Sequence, residues 1–454
     1  MTLHRRTFLK GGAASLVSFG LAGGGPLFLR RAAWASSSGS STSSRRPVLV
    51  TIFQRGAMDG LAAVPPLERE LRGPLSSLRP SLRLDGSRAS GDGVIDLGSG
   101  FGLHPALGAL HSSWKEGHLG IVHAVGSPDS TRSHFDAQDY MESGTPGIKS
   151  TRSGWLNRVM GELGHEAPSP LGAVALTESM PRSLVGQEPS VAFASLEEFH
   201  LGASPSLGPR GRSEADPPPR RRGRRGSRAR ARDGAVDARS QAGFEHLYAG
   251  TAEDELRDAG AETFEAMELV RSVVQRPQPT ARGVRYPQSP LGSALREIAQ
   301  LIKGDVGVEI AFAESGGWDT HVRQGTAQGS FARRARDLGD SIAAFWRDLG
   351  NHRDHVVVMT MTEFGRTVAE NGSAGTDHGR ASCMFVLGDR VSGGRVHGPW
   401  PGLEREELDE GRDLAVATDF RSAFAGVASA HLGVGAGEAV FPGWRGKPMN
   451  LFRT

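Results

Sequence analysis

One cysteine, Cys383, is present in 454 residues. The chain therefore forms no internal disulfide and depends on packing rather than covalent staples. Cys383 lies in the apolar run Ser382-Cys383-Met384-Phe385-Val386-Leu387, where it reads as a small buried hydrophobe and not as a reactive thiol. The sequence also lacks a Cys-x-x-Cys pair, a haem-attachment pattern and a glycine-rich dinucleotide turn, which removes the usual grounds for a redox enzyme. Charge of one sign does not dominate. The formal net charge is +3, and much of the basic excess behind the sequence pI of 9.3 is local. No nucleic-acid partner is expected from it.

The N-terminus reads His4-Arg5-Arg6-Thr7-Phe8-Leu9-Lys10, then an apolar run rich in glycine and alanine to about Phe28, then Ala33-Trp34-Ala35. A charged start, an apolar middle and a small-x-small end are the parts of a signal peptide. The paired arginines mark the twin-arginine export machinery as a partner. The expected organisation is a signal peptide over 1–35, a serine-rich linker over 36–46 and one large domain over 47–454. The location is then periplasmic or extracellular. The apolar run is too short and too broken by glycine to span as a stable helix, so no integral span is expected after cleavage. An uncleaved membrane anchor is the alternative.

Five apolar, β-branched runs read as buried strands: Val48–Phe53, Leu119–Val125, Val306–Phe312, His355–Met361 and the run around Phe385. Helical patterns over Phe244–Val274, Pro290–Ile302 and Phe331–Leu349 lie between them. The alternation predicts an α/β fold with a largely parallel sheet and helices on both faces. The segment at about 204–240, with Pro217-Pro218-Pro219-Arg220-Arg221-Arg222, interrupts the pattern. It cannot bury a core and reads as a disordered, solvated insertion in a surface loop. An anchor to anionic polymers is the sharper alternative.

Ligands of such sheets bind beyond the carboxyl ends of the strands, so the residues after each run carry the argument. They are Asp59 after the first, Ser127 and Thr131-Arg132-Ser133-His134-Phe135-Asp136 after the second, Asp319 and His321 after the third, and Glu363, Arg366, Asp377 and His378 after the fourth. Several strand ends thus supply carboxylate, hydroxyl or imidazole groups to one edge. Carboxylates and neutral imidazoles bind zinc or manganese. A bound dication stabilises charge developing on a phosphoryl or sulfuryl oxygen and activates a nearby hydroxyl. An arginine clamps a tetrahedral oxyanion.

The set Asp59-Gly60-Leu61, Arg132-Ser133-His134-Phe135-Asp136-Ala137-Gln138, Gly317-Trp318-Asp319-Thr320-His321, Thr362-Glu363-Phe364-Gly365-Arg366-Thr367, Thr376-Asp377-His378-Gly379 and Ala417-Thr418-Asp419-Phe420-Arg421 resembles the twin-arginine-exported family called domain of unknown function 1501. That family in turn resembles the alkaline phosphatase and sulfatase superfamily, with a two-metal site on an α/β sheet. The resemblance implies an alkaline phosphatase-like fold and metal ligands at Asp59, Asp319, His321, Glu363, Asp377 and His378. It also implies Ser133 as nucleophile, Arg366 as a catalytic clamp, and one or two divalent ions, zinc or manganese ahead of magnesium. The chain departs from the superfamily at Glu363-Phe364, where an Asp-His pair would be expected, and His134 or Asp377 stands ready to fill the gap.

Each residue also has a structural reading. Asp59 and Ser133 suit helix caps, and Ser127 and Thr131 are rival nucleophiles. His321 suits a cap or carbonyl contact, Glu363 with Arg366 a surface ion pair, and Asp377 an orienter of His378. His123, Trp155 and Trp318 read as core. Two functions follow. One is an exported metal-dependent hydrolase or transferase acting on small-molecule or polymer-linked phosphate or sulfate esters. The other is a non-catalytic envelope binding or assembly protein on a degenerate form of the fold.

Overall fold

The computed structural model describes residues 45–84, 93–98, 100–164, 169–196 and 254–453, with the backbone alone for 254–264. The expected signal segment, the serine-rich linker to residue 44 and the arginine-rich insertion lie outside the described residues. The strands are β1 (Val48–Gln54), β2 (Ile95–Asp96), β3 (Gly102–Leu103), β4 (Leu119–Gly126), β5 (Ala173–Leu176), β6 (Val191–Phe193), β7 (Ile310–Ser315), β8 (Val356–Met361), β9 (Ser382–Leu387), β10 (Arg395–His397) and β11 (Thr418–Asp419). Nine of them form one sheet in the order β10-β4-β9-β8-β1-β7-β5-β6, with β11 also on β4.

The sheet is largely parallel, as expected. β1 pairs in parallel with β7 and β8, and β5 with β6 and β7. β9 alone runs against its neighbours β4 and β8. Its start therefore lies at the edge where the parallel strands end. Central strands are buried on both faces, which is why β1 reads as a continuous apolar run instead of an alternating one. Val48, Val50 and Ile52 join one core with Leu295, Ile298, Phe331, Ile342 and Phe345, from the helices Pro290–Lys303 and Ser330–Asp348. Leu49 and Phe53 join a second core with Trp155, Leu156, Val159, Phe420 and Phe424, from the helices Trp155–Leu163 and Phe420–Val427. Helices thus cover both faces. Among the described residues no helix is long and apolar enough to cross a membrane.

Two expected strands differ at their starts. β7 begins at Ile310 rather than Val306, because Asp305 and Gly307 take φ of 51° and 84°, outside the extended region. Val306 and Val308 are buried without joining the ladder. His355 belongs to the 3-10 turn Gly350–His355 that precedes β8. β4 carries a register shift between Val122 and Val125, with Ala124 at φ 49°. A bulge bends a strand and re-aims its end. Beyond it β4 pairs with β11 at Val125 and Gly126.

The connection from β8 to β9, Thr362–Ala381, folds back over itself at the edge. Gly365 N donates to Arg380 O at 2.9 Å, Gly379 N to Gly365 O at 2.9 Å, and Thr367 N to Asp377 O at 2.9 Å. The two limbs touch so closely that a Cβ on Gly365 would lie 1.8 Å from Ala381 O, and one on Gly379 2.4 Å from Arg366 C. Gly365→Ala is accordingly expected to force the limbs apart and cost about 1–3 kcal/mol, read as a lower urea midpoint at unchanged slope. A midpoint equal to that of the wild type would show that the limbs have room to spare.

Candidate metal centre

Four loops meet at the edge where β1, β4, β7 and β8 end. After β1 the chain turns at Gly56, with φ 111°, and a Cβ there would lie 2.6 Å from Asp319 N. Only glycine lets the β1 and β7 loops approach this closely. Gly56 N donates to Glu363 Oε1 at 2.8 Å and Met58 N to Thr362 Oγ1 at 3.1 Å, which ties the end of β1 to the end of β8. After β4 the helix His134–Ser143 begins, capped by Ser133, so His134 stands in its first turn.

Three imidazoles and one carboxylate converge. His378 Nε2 lies 3.0 Å from His134 Nε2 and 2.9 Å from His321 Nε2. Asp319 Oδ1 lies 3.6, 3.0 and 3.4 Å from the Nε2 atoms of His134, His321 and His378. His134, Asp319 and His378 offer ligand atoms all within 4.8 Å of one another. His321 stands outside that triangle and touches two of its corners. A tetrahedral ion with bonds of about 2.0–2.1 Å separates its ligand atoms by about 3.3 Å, close to the edges of this triangle.

The opposite nitrogen of each ring fixes its tautomer. His134 Nδ1 faces Glu363 Oε1 at 2.8 Å, His321 Nδ1 faces Asp377 Oδ1 at 2.9 Å, and His378 Nδ1 faces the Arg132 carbonyl at 2.8 Å. Carboxylate and carbonyl oxygens only accept, so each Nδ1 carries the hydrogen and donates. In its neutral form each ring then directs an Nε2 lone pair at the others. Oxygen acceptors behind ligand imidazoles are the usual support of a metal site. Charge agrees with this. Asp319, Glu363 and Asp377 against Arg366 leave two negative charges around the histidines, a balance that one divalent ion would offset.

The protonation equilibria follow from these contacts. The hydrogen bond to Glu363 raises the pKa of His134 above the ordinary value, against the effect of burial. Burial lowers that of His378, although its bond to Arg132 opposes this. Burial acts to raise Glu363 and Asp319, yet both are held low. His134 and Gln138 hold Glu363 down, and Arg366 holds Asp319 down. Asp377 is lowered by Asn371 and His321.

Of the residues singled out in the sequence, Asp319, His321 and His378 stand at the convergence. Glu363 and Asp377 stand behind the rings as orienting carboxylates. Glu363 is fully buried, which removes the surface ion-pair reading, and it also accepts from Gln138 Nε2 at 2.9 Å and Thr362 Oγ1 at 3.1 Å. Asp59 has other partners. It is 1% exposed, pairs with Arg79 Nη1 at 2.7 Å, accepts from Gln324 Nε2 at 2.7 Å, and caps the short helix Gly60–Ala63 through Ala62 N. Ser133 is exposed at the helix cap, its Oγ 3.5 Å from Asp136 N. Ser127 Oγ accepts from Asp129 N and Thr131 Oγ1 from Ser133 N.

Arg366 does not stand open as a substrate clamp. It is 1% exposed and donates to the carbonyls of Ala57, Thr376 and Trp318 and to Asp319 Oδ1 at 2.5 Å. It braces Asp319. His134 is the residue that the sequence placed only as a substitute. Its signal was a histidine directly after a serine cap, masked by the serine itself. Phe364 is also explained: its buried ring packs on His134 at 4.9 Å and His378 at 5.0 Å between centroids. It is an apolar floor beneath two of the converging rings, where a second ligand was expected. His123, Trp155 and Trp318 are buried in the core as read from the sequence.

The family described as protein of unknown function (DUF1501) matches residues 76–440, and the chain belongs to it. No curated protein matches the chain.

Protons and a metal ion compete for the same Nε2 lone pairs. Divalent-ion affinity is therefore expected to fall as pH drops through the pKa of His134, which its bond to Glu363 raises. Chelator competition from pH 8.5 to 5 reads this directly. An affinity that stays flat across that range would count against the imidazoles as ligands.

Proposed function

We propose that this DUF1501 member is an exported metal-dependent hydrolase or transferase of phosphate or sulfate esters, on an alkaline phosphatase-like form of the α/β sheet. The supporting observation is the convergence of three Nε2 atoms on Asp319 Oδ1, each ring held from behind by an oxygen acceptor. His134, His321, His378 and Asp319 would hold one divalent ion. Three imidazoles with one carboxylate favour zinc over manganese and magnesium.

Such an ion supplies positive charge that stabilises the negative charge developing on a phosphoryl or sulfuryl oxygen. The chain's own residues do the rest. Asp319 is 44% exposed and His321 37%, so the convergence is open to a substrate on one side. Arg366 holds Asp319 in place. Phe364 excludes water from beneath the rings of His134 and His378. Ser133, exposed and adjacent to His134, is the hydroxyl offered as nucleophile, and its weak cap bond at 3.5 Å leaves it free to turn. Export by the twin-arginine route would deliver the protein folded, with its metal already loaded, to the periplasm or beyond.

The second reading, a non-catalytic envelope protein, is favoured by one observation. The buried Arg366 is committed to backbone carbonyls and Asp319, so the charge expected to clamp an oxyanion is already in use.

Protein purified from cytoplasmic expression is expected to carry about one divalent ion per chain. It is expected to turn over an aryl phosphate or sulfate, and Ser133→Ala should lower that turnover on the order of a thousandfold. Loss of the cap costs about 0.5–2 kcal/mol, so the variant should still fold. Metal without turnover of any ester would leave the binding reading standing, and absence of metal would end the hydrolase reading.

A further inference from the structure

Gln324 stands three residues beyond His321 and touches none of the four converging atoms. It is fully buried. Its Nε2 donates to Asp59 Oδ2 at 2.7 Å. Its Oε1 accepts from Thr320 Oγ1 at 2.7 Å and from Thr376 Oγ1 at 2.8 Å. Chemistry fixes this amide orientation, since a carboxylate only accepts and must face the amide nitrogen. The two threonines occupy matched places. Thr320 lies between Asp319 and His321, and Thr376 directly precedes Asp377 and His378. One amide oxygen therefore joins the two loops that bring three of the four converging groups, and Thr376 N donates to Thr320 O at 3.1 Å beside it.

The other end of Gln324 is anchored as firmly. Asp59 holds Arg79 through Nη1, and Arg79 donates from Nε to Val368 O and from Nη2 to Thr367 O, each at 2.7 Å. Thr367 follows Arg366, the brace of Asp319. Asp59, Arg79, Gln324, Thr320 and Thr376 are all under 5% exposed. A buried network with every partner satisfied is rigid, and breaking one link leaves the other groups without partners.

We propose that Gln324, fixed by the buried Asp59–Arg79 pair, is a positioning residue that sets the spacing between the Asp319–His321 loop and the Asp377–His378 loop, and through it the affinity for a divalent ion. This rests on the reading of the cluster as a metal centre. It also gives Asp59 a part in that centre without contact to it.

The test compares zinc affinity, by chelator competition at pH 8, and the visible spectrum of the cobalt-loaded protein, in the wild type, Gln324→Met, Thr376→Val and Asn157→Ala. Gln324→Met keeps the side chain's length and removes all three side-chain bonds. It is expected to weaken zinc binding about 10–100-fold and to alter the cobalt bands. Thr376→Val removes one of the two hydroxyl links and should weaken binding in the same direction by less. It decides the matter if Gln324→Met fails to fold. Asn157 is a buried residue that bonds the Leu184 and Glu188 carbonyls, so its variant should lower the melting temperature and leave zinc affinity unchanged. Wild-type affinity in both Gln324→Met and Thr376→Val overturns the proposal, as does an equal loss in Asn157→Ala. A wild type that takes up no zinc or cobalt overturns the metal reading itself, and this proposal with it.

Discussion

Three imidazoles aim their Nε2 atoms at one another and at a carboxylate oxygen. Left alone, such groups repel, and in water each would turn to a solvent hydrogen. Their approach to about 3 Å requires either a cation between them or a frame stiff enough to hold them ready for one. The order of the surrounding loops answers to that constraint. Each ring is gripped from behind by an oxygen, two of the rings rest on Phe364 and the carboxylate is braced by Arg366. The loops themselves are pressed backbone to backbone where glycine allows it.

The arrangement separates contact from support. Four side chains present atoms to the centre, and a larger set fixes their directions. Glu363 is the clearest supporting case. It is a fully buried carboxylate that serves His134, Gln138 and the amide of Gly56 at once, and so fastens three strand-end loops together. Burial disfavours its charge, yet four donors, Thr362 Oγ1 among them, keep it ionised. Its removal would disturb several loops together. Arg366 acts similarly in the opposite sign, a buried guanidinium whose donors reach the carbonyls of Gly56, Ala57, Trp318 and Thr376 as well as Asp319. Neither residue needs to meet a substrate to matter to one.

Much of the sheet was legible because its central strands are short, apolar and separated by clear turns. β1, β4, β8 and β9 and the helices after residue 290 lie close to where pattern alone puts them. The start of β7 was missed because Val306 and Val308 look like strand residues, while backbone angles at Asp305 and Gly307 exclude one. The loops that form the centre were also legible, since carboxylates and histidines next to glycine after strands are rare enough to notice. Individual roles were less so. Asp59 looks like a ligand until Arg79 is seen beside it, and nothing local in the sequence connects the two. His134 was overshadowed by Ser133, because a serine before a helix suggests both a cap and a nucleophile. Phe364 looked like a defect because ring packing between loops leaves no trace in spacing.

The antiparallel course of β9 has a consequence for how such a site can change over time. In a wholly parallel sheet, each strand-end group arrives on its own crossover, and the site is assembled from distant pieces. Here Glu363, Phe364, Arg366, Asp377 and His378 all come from the single return between β8 and β9. Supporting carboxylates, aromatic floor, brace and one converging imidazole travel together as one cassette, closed by its own backbone bonds. Those backbone bonds lie within the return itself, so an insertion elsewhere in the chain does not interrupt them. Related chains can therefore exchange or lose one converging imidazole together with its supports in one event while keeping the sheet that carries it.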